Sequence, residues 1–172
     1  MGQKLETDQK REIAEALWEE HGAAIYRFAL RLSGNRALAE DLASETILAA
    51  LEALPKVDQS QLHRSYLFGI TVNKWRRVRR ISTEPIGNLV AAEATNVDSL
   101  IDLERAFRQL PRNLQEAFVL VKAEGLTSKE AAEILQIPQG TVQARTHEAV
   151  HRMRHMLGTE VPIPTTLREA KS

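Results

Sequence analysis

The chain has 172 residues, which is enough for one medium-sized domain or two small ones. It contains no cysteine, so disulfide bonds, thiolate metal sites and cysteine nucleophiles are excluded. Its 23 basic and 23 acidic side chains give a formal net charge of zero. No apolar run approaches the roughly 18 residues of a membrane span, and residues 1–21 lack the layout of a signal peptide. We therefore expect a cytoplasmic protein without a membrane span.

The charges are distributed unevenly along the chain. Residues 1–80 hold 13 basic side chains against 11 acidic ones, residues 81–104 hold none against five, and residues 105–172 hold ten against seven. Within the first segment, "KWRRVRR" (74–80) places five positive charges in seven residues. Such a run is either a solvated helix end, which the helix dipole favours, or a surface for an anionic partner.

Apolar residues recur at three- and four-residue steps, and no segment alternates as a strand does, so we predict an all-α protein. The first predicted helix carries the stripe Ile13, Leu17, Ala24, Ile25, Phe28 and Leu32. The second spans about 36–54, with Asn35 as its N-cap and with these residues directed inward: Leu38, Leu42, Leu48 and Leu51. The third spans about 61–80, and its apolar side consists of Tyr66, Leu67, Ile70 and Val78.

Proline, glycine and acidic residues between 82 and 96 predict a flexible linker. Two further helices follow, over 99–110 and 113–125, with Gly125 as a C-terminal cap. We therefore expect two small helical domains, 10–81 and 99–157, joined by a linker over 82–98 and followed by a tail over 158–172.

The stretch "TSKEAAEILQIPQGTVQAR" (127–145) predicts a helix-turn-helix in the second domain. Thr127 and Glu130 are spaced as a capping box, which would start a short helix at Ser128. The segment "QIPQG" then breaks that helix, and Pro138 suits the start of the next one. The apolar residues Leu114, Phe118, Val121 and Leu126 would cover the inner side of the pair. A tight helical hairpin without a DNA role is the alternative interpretation.

The outer side of the second helix in this pair favours DNA. Its start carries Gln139, Gly140, Thr141 and Gln143. Free N–H groups at a helix start attract phosphates, and short polar side chains can reach base edges. Arg145 suits contact with a phosphate. His147 and His151 are each more typical of a surface residue than of a metal ligand.

A second polar surface is predicted on the helix over 36–54. Glu40, Asp41 and Glu45 crowd one side of it, although like charges four residues apart repel each other. Solvation alone explains such a ridge. The alternative is a docking face for a basic helix of another protein, with exposed Leu and Ile beside the acids.

Three segments together resemble the sigma factors of bacterial RNA polymerase. "IYRFALRLSGNRALAEDLASETILAAL" (25–51) and "YLFGITVNKWRRVRR" (66–80) resemble the second conserved region of that family. "AFRQLPRNLQEAFVLVKAEGLTSKEAAEILQIPQGTVQARTHEAV" (106–150) resembles the fourth region. Their order and spacing, without the intervening third region, are typical of the extracytoplasmic-function (ECF) group. The resemblance covers about residues 13–157.

This resemblance implies a non-enzymatic initiation factor without a cofactor. Its partners would be core RNA polymerase, through the β′ clamp coiled coil and the β subunit, promoter DNA and, as in many members, an anti-sigma factor. The implied polymerase-binding residues are Glu40, Asp41, Leu42 and Glu45. The implied −10 element residues are Tyr66, Asn73, Lys74, Arg76, Arg77 and Arg80, beside the loop 55–64. The implied −35 element residues are Gln139, Gly140, Thr141, Gln143, Arg145 and His147.

The sequence departs from the family pattern at several positions. Ser44 and Ile47 stand where the family usually has Gln and Phe, and Tyr66 replaces the usual Trp. Glu148 stands where many members carry Arg, so we expect it to repel phosphate and weaken the −35 contact. A stand-alone helix-turn-helix regulator is the alternative function. A hydrolytic enzyme using Glu40, Asp41 and a histidine is poorly supported, because the sequence carries no nucleophile motif or phosphate loop.

Overall fold

The structure, a computed structural model, describes residues 2–54, 62–81 and 97–158. The chain divides into two compact units, residues 1–87 and 88–172. Every regular element in the described residues is helical, which confirms the predicted all-α class. In the same residues no helix combines the length and apolarity needed to cross a bilayer. Most of the predicted 55–64 loop, most of the predicted linker and the tail beyond Gly158 lie outside the described residues.

Unit 1 contains four α-helices in its described residues. They are α1 (Gly2–Leu17), α2 (Ala23–Ser33), α3 (Arg36–Ala53) and α4 (Arg64–Ile81). Gly34 ends α2 in the left-handed conformation, with a φ of 67°, and its N–H donates to the carbonyl of Leu30. Asn35 then caps α3, because its side chain accepts a hydrogen bond from the N–H of Leu38 at 3.0 Å. The predicted N-cap is confirmed, while α4 begins three residues later than predicted.

The sequence pattern did not indicate the π-helical turn that joins α1 to α2 over Trp18–Gly22. Leu17 and Gly22 lie five residues apart and are both buried, as expected where the hydrogen bonds run from i to i+5. The indole of Trp18 covers Gly22 so closely that a Cβ there would lie 2.9 Å from the Trp18 Cδ2 atom. A larger residue at this position would therefore force the half-exposed Trp18 indole to shift.

The core of unit 1 lies where α2, α3 and α4 pack against one another. The rings of Phe28 and Phe68 stack with their centroids 4.2 Å apart, and Trp75 is fully buried. The predicted apolar side of α4 was therefore only partly right. Leu67 is buried as predicted, whereas Tyr66, Ile70 and Val78 are half-buried. The helix is rotated so that its aromatic residues fill the space between three helices.

A pair of buried threonines joins α3 to α4. The hydroxyl oxygens of Thr46 and Thr71 lie 3.0 Å apart, and both side chains are fully buried. Thr46 Oγ1 is 2.7 Å from the carbonyl of Leu42, and Thr71 Oγ1 is 2.9 Å from the carbonyl of Leu67. Two hydroxyl protons serve these three contacts, so at any moment at most two of the three contacts are hydrogen bonds.

Unit 2 also consists of four α-helices in its described residues. They are α5 (Val97–Gln109), α6 (Arg112–Phe118), α7 (Ser128–Leu135) and α8 (Gln139–Leu157). A second π-helical turn, Val119–Ala123, follows α6. Gly125 follows in the left-handed conformation with a φ of 70°, as its predicted role at a helix end requires. Residues 97 and 98, which were predicted to end the linker, belong to α5.

The core of unit 2 gathers apolar residues from all four helices, including Phe107, Leu114, Phe118, Ile134 and Val142. The rings of Phe107 and Phe118 meet at 5.8 Å. Gln115 is buried among them, and its Nε2 donates to the carbonyls of Phe107 and Arg108 at 3.0 and 3.3 Å. Both carbonyls lie in the last turn of α5, where partners within the helix run out. The Phe107 carbonyl also accepts a hydrogen bond from the N–H of Leu110 at 3.1 Å, so the buried amide adds a second bond there and one at Arg108.

We expect Thr46→Val and Thr71→Val each to lower the free energy of unfolding by about 0.5–1.5 kcal/mol, the usual effect of losing one hydrogen bond. The double variant should lose less unfolding free energy than the two single variants lose in total, because both substitutions remove the same bond between helices. Urea unfolding followed by circular dichroism measures all three variants. Strictly additive losses would contradict a shared hydrogen bond.

Candidate functional site

One side of α3 carries all four of its carboxylates. The exposed residues on this side, which we call the acidic face, are Glu40, Asp41, Ser44, Glu45, Leu48 and Glu52. They recur at three- and four-residue steps, so they share one side of the helix. The opposite side is buried and holds Ala39, Leu42, Ala43, Thr46, Ile47 and Ala50. The structure therefore brings the predicted acids together on an accessible surface.

Leu42 does not belong to this surface, which corrects its predicted place among the partner-binding residues. Its side chain is only 1% exposed and packs in the core of unit 1, and Ile47 is buried as well. Leu48, which was predicted to point inward, is instead 59% exposed. It follows Asp41 by seven residues and Glu45 by three, and this spacing could have placed it on the acidic face. The acidic face thus contains one exposed apolar side chain.

The outer side of α4 collects three of the residues predicted to bind the −10 element. Tyr66, Asn73 and Arg77 follow one another at seven- and four-residue steps and therefore share one side of the helix. Asn73 and Arg77 are exposed. Tyr66 is half-buried and packs against the core while part of its ring faces solvent. This side of α4 offers an aromatic surface, an amide and a cation in a line.

The other predicted cations of α4 are placed differently. Lys74 lies beside α3, where its Nζ pairs with the Glu45 Oε2 at 3.3 Å. Arg76 is half-buried on the opposite flank of α4. The side chain of Arg80 lies outside the described residues. Trp75 packs in the core as expected, and the Arg79 guanidinium lies 5.7 Å from its ring centroid. The sequence did not indicate the ion pair between α3 and α4.

The predicted helix-turn-helix is confirmed in unit 2. Thr127 Oγ1 accepts a hydrogen bond from the N–H of Glu130 at 3.2 Å, and the Glu130 carboxylate accepts one from the N–H of Thr127 at 2.8 Å. This capping box starts α7 at Ser128. Gln136 ends α7 in the left-handed conformation, with a φ of 55°. Pro138 then stands at the N-cap of α8, one position earlier than the first turn that the sequence indicated.

The outer side of α8 carries most of the residues predicted to bind the −35 element. Gln139, Gly140, Gln143 and His147 are exposed. A Cβ at Gly140 would meet no atom within 4 Å, so packing within unit 2 does not require glycine there. Thr141 and Arg145 are half-buried on one flank of the helix. The accessible start of α8 thus offers free N–H groups and amide side chains to a partner outside the chain.

Glu148 does not present a lone negative charge on α8. Arg152 donates from its Nε to the Glu148 Oε1 at 2.6 Å, one helical turn away. This hydrogen bond, followed by weaker attraction from Arg152, His151 and His147, lowers the pKa of Glu148, and partial burial opposes the shift. The expected repulsion of phosphate by Glu148 is therefore offset by its partner. Arg152, conversely, is not a free cation.

Two family profiles match the chain, one in each unit. The profile for Sigma-70 region 2 matches residues 17–82, which include the acidic face and the outer side of α4. The profile for Sigma-70 region 4 matches residues 100–153, which include the helix-turn-helix. These two matches, in this order, define a sigma factor of RNA polymerase.

Similar proteins of known classification specify the group. The chain is 31% identical to the ECF RNA polymerase sigma factor SigE of Mycolicibacterium smegmatis over 156 residues, which are 83% of this chain and 61% of SigE. It is 31% identical to the ECF sigma factor SigL of Mycobacterium tuberculosis over 155 residues, which are 83% of this chain and 87% of SigL. The chain belongs to the ECF group of the sigma-70 family. It is an alternative sigma factor, which directs transcription initiation by RNA polymerase at specific promoters.

Two solved structures share the fold. The sigma factor RpoE of Bartonella quintana, in complex with the anti-sigma factor NepR, matches with a TM-score of 0.70 and 24% identity. The match covers 86% of this chain and 98% of RpoE. CnrH, in complex with the cytosolic domain of CnrY, matches with a TM-score of 0.66 and 22% identity. The match covers 88% of this chain and 96% of CnrH. At these identities the likeness concerns the fold.

We expect the Glu148–Arg152 pair to stabilise unit 2 only above mildly acidic pH. The folded-state pKa of Glu148 lies below its ordinary value of 4.5, so its contribution is present above pH 4.5 and is lost as the pH falls through the lowered pKa. At neutral pH the urea midpoint of unfolding should therefore be slightly higher for wild type than for Glu148→Gln. This difference should disappear in acid. A difference that does not change with pH would contradict the pair.

Proposed function

We propose that the acidic face of α3 binds a basic helical surface of core RNA polymerase, the β′ clamp coiled coil. The observation that supports this most strongly is an exposed row of carboxylates with one exposed leucine, Leu48, on a helix whose other side is buried. Charge complementarity steers such an encounter, and a central apolar contact adds affinity. The residues assigned to this contact are Glu40, Asp41, Glu45 and Leu48, and Leu42 supports them from the core.

The outer side of α4 then binds the −10 promoter element. Extracting a base from its stack requires a few kcal/mol, which a fitted pocket returns. Tyr66 offers the stacking surface, Asn73 a hydrogen-bonding amide and Arg77 a charge for the backbone. The predicted 55–64 loop precedes this surface in the chain. Arg76 and Arg80 extend the positive charge of the same helix. Residues 10–81 act in this proposal as the module for polymerase and the −10 element.

The start of α8 binds the −35 element in the major groove, with residues 99–157 as the second module. Gln143 reaches base edges from the exposed side, and Gln139 and Thr141 flank it. Gly140 lets the backbone approach a phosphate, since nothing in unit 2 occupies that space. Arg145 and His147 supply contacts that position the helix without reading sequence. Arg152 adds little net charge to this contact, because it is paired with Glu148.

The protein acts in this proposal as a binding factor, while polymerase performs the chemistry. Among the described residues no group of three or more His, Asp or Glu side chains is arranged to hold a metal ion. The site of action is the cytoplasm, where polymerase and chromosome meet. Carrying two modest DNA-binding modules on one polymerase raises the effective concentration of each.

A protein regulator is the further partner that we propose. RpoE and CnrH, which share this fold, are each held in complex with another protein, the anti-sigma factor NepR and the cytosolic domain of CnrY. An anti-sigma factor that covers the acidic face of α3 would block polymerase directly. Such a partner should be basic where it meets that face.

We expect Asp41→Lys to weaken binding to core polymerase at least tenfold without unfolding the chain. Asp41 is exposed, so the change reverses a charge at the proposed contact and removes no core packing. Anisotropy of the labelled chain titrated with core enzyme gives the affinity, and circular dichroism checks the fold. Glu12→Lys, the same reversal at an exposed residue of α1, is the matched control. Equal affinities for the two variants would refute the assigned contact.

We expect Gln143→Ala to change the preferred −35 sequence, whereas Arg145→Ala should weaken binding to all sequences about equally. A bidentate base contact typically contributes about 1–3 kcal/mol of discrimination, and a phosphate contact contributes none. Transcription in vitro with the holoenzyme and a promoter library measures both effects. A Gln143→Ala profile that is identical to wild type would remove Gln143 from base recognition.

A further inference from the structure

The ion pair between Glu45 and Lys74 joins the two surfaces of unit 1. Glu45 belongs to the acidic face of α3, and Lys74 begins the basic segment of α4, residues 74–80. Their charged atoms lie 3.3 Å apart, with the Glu45 side chain 53% exposed and the Lys74 side chain 31% exposed. An external partner can therefore reach each charge, although in the free chain the two charges are paired with each other.

The packing of the two helices holds this pair in place. Thr46 directly follows Glu45, and Thr71 lies one helical turn before Lys74. The hydroxyls of these threonines meet at 3.0 Å in the fully buried interface. The interface sets the rotation and the register of α3 against α4, so both charged groups start from adjacent positions. The pair is thus a property of the folded unit.

We propose that this ion pair couples polymerase binding to DNA binding, which rests on the proposed function of the two surfaces. A basic group of polymerase that binds Glu45 releases Lys74 for a DNA phosphate. A phosphate that binds Lys74 releases Glu45 for polymerase. Each partner then raises the affinity of the chain for the other by the same factor, as thermodynamic linkage requires.

The coupling is modest, because partly exposed ion pairs are weak. Pairs of this kind correspond to a change of about two- to fivefold in an equilibrium constant. The coupling favours DNA binding by the polymerase-bound chain over DNA binding by the free chain. In the free chain Lys74 is paired with Glu45 and is not available to non-specific DNA. In the polymerase-bound chain Lys74 is released and can bind a phosphate. A stronger pair would oppose both partners and would slow assembly of the initiation complex.

The first arm of the test measures binding of labelled chain to core polymerase without DNA. Lys74→Gln should bind about two- to fivefold tighter than wild type, because Glu45 no longer has an internal partner. Arg77→Gln is the matched control, since it removes one exposed positive charge from the same helix and leaves Glu45 paired. Circular dichroism confirms that each variant is folded.

The second arm measures binding of the free chain to a fluorescein-labelled single-stranded DNA of mixed sequence over a series of salt concentrations. Glu45→Gln should tighten binding by the same factor, and one added phosphate contact should steepen the logarithmic salt dependence by about 0.7. Asp41→Asn is the control, because it removes one exposed negative charge from the same face and frees no cation. The double variant Glu45→Gln, Lys74→Gln should lose the gain.

The outcomes separate the two proposals. A chain that does not bind core polymerase overturns both of them. A chain that binds polymerase, but whose Lys74→Gln and Arg77→Gln variants bind it equally, leaves the proposed function standing and refutes the coupling. A gain in only one arm also refutes the coupling, since linkage makes the effect reciprocal.

Discussion

The packing of α3 against α4 is the constraint on which the functional surfaces of unit 1 depend. Thr46 and Thr71 bond to each other inside that interface, and Phe68 and Trp75 fill the space around it. A slip of one residue along either helix would rotate the side chains on its outer side by about 100°, because an α-helix has 3.6 residues per turn. The acidic face would then lose its alignment with the basic segment. Precise packing in the interior therefore determines which charges can meet on the surface.

The sequence predicted what depends on near neighbours. Asn35, Thr127 and Glu130 act on N–H groups within three residues, so their capping roles could be identified from spacing alone. The helix-turn-helix followed from the same local signals. The exposure of the acids of α3 was also predicted correctly, because several charged side chains on one side of a helix are rarely buried.

The sequence could not indicate what depends on a distant partner. Leu42 and Leu48 were both predicted to point inward, and only Leu42 does, because the positions of α2 and α4 decide which leucine is covered. The Glu45–Lys74 pair joins residues 29 positions apart, and no local pattern connects them. The π-helical turn at Trp18–Gly22 brings a glycine beneath an indole, a match that is visible only in three dimensions.

The positions of the two tryptophans have a consequence for spectroscopy. The chain contains two such residues, Trp18 and Trp75, and both lie in unit 1. Trp75 is 1% exposed and Trp18 is 48% exposed, so a soluble quencher should reach one ring and spare the other. Tryptophan emission therefore reports on unit 1 alone, while far-ultraviolet dichroism responds to helices of both units. Comparing the two signals during denaturation would show whether the units unfold together or in succession, without any label.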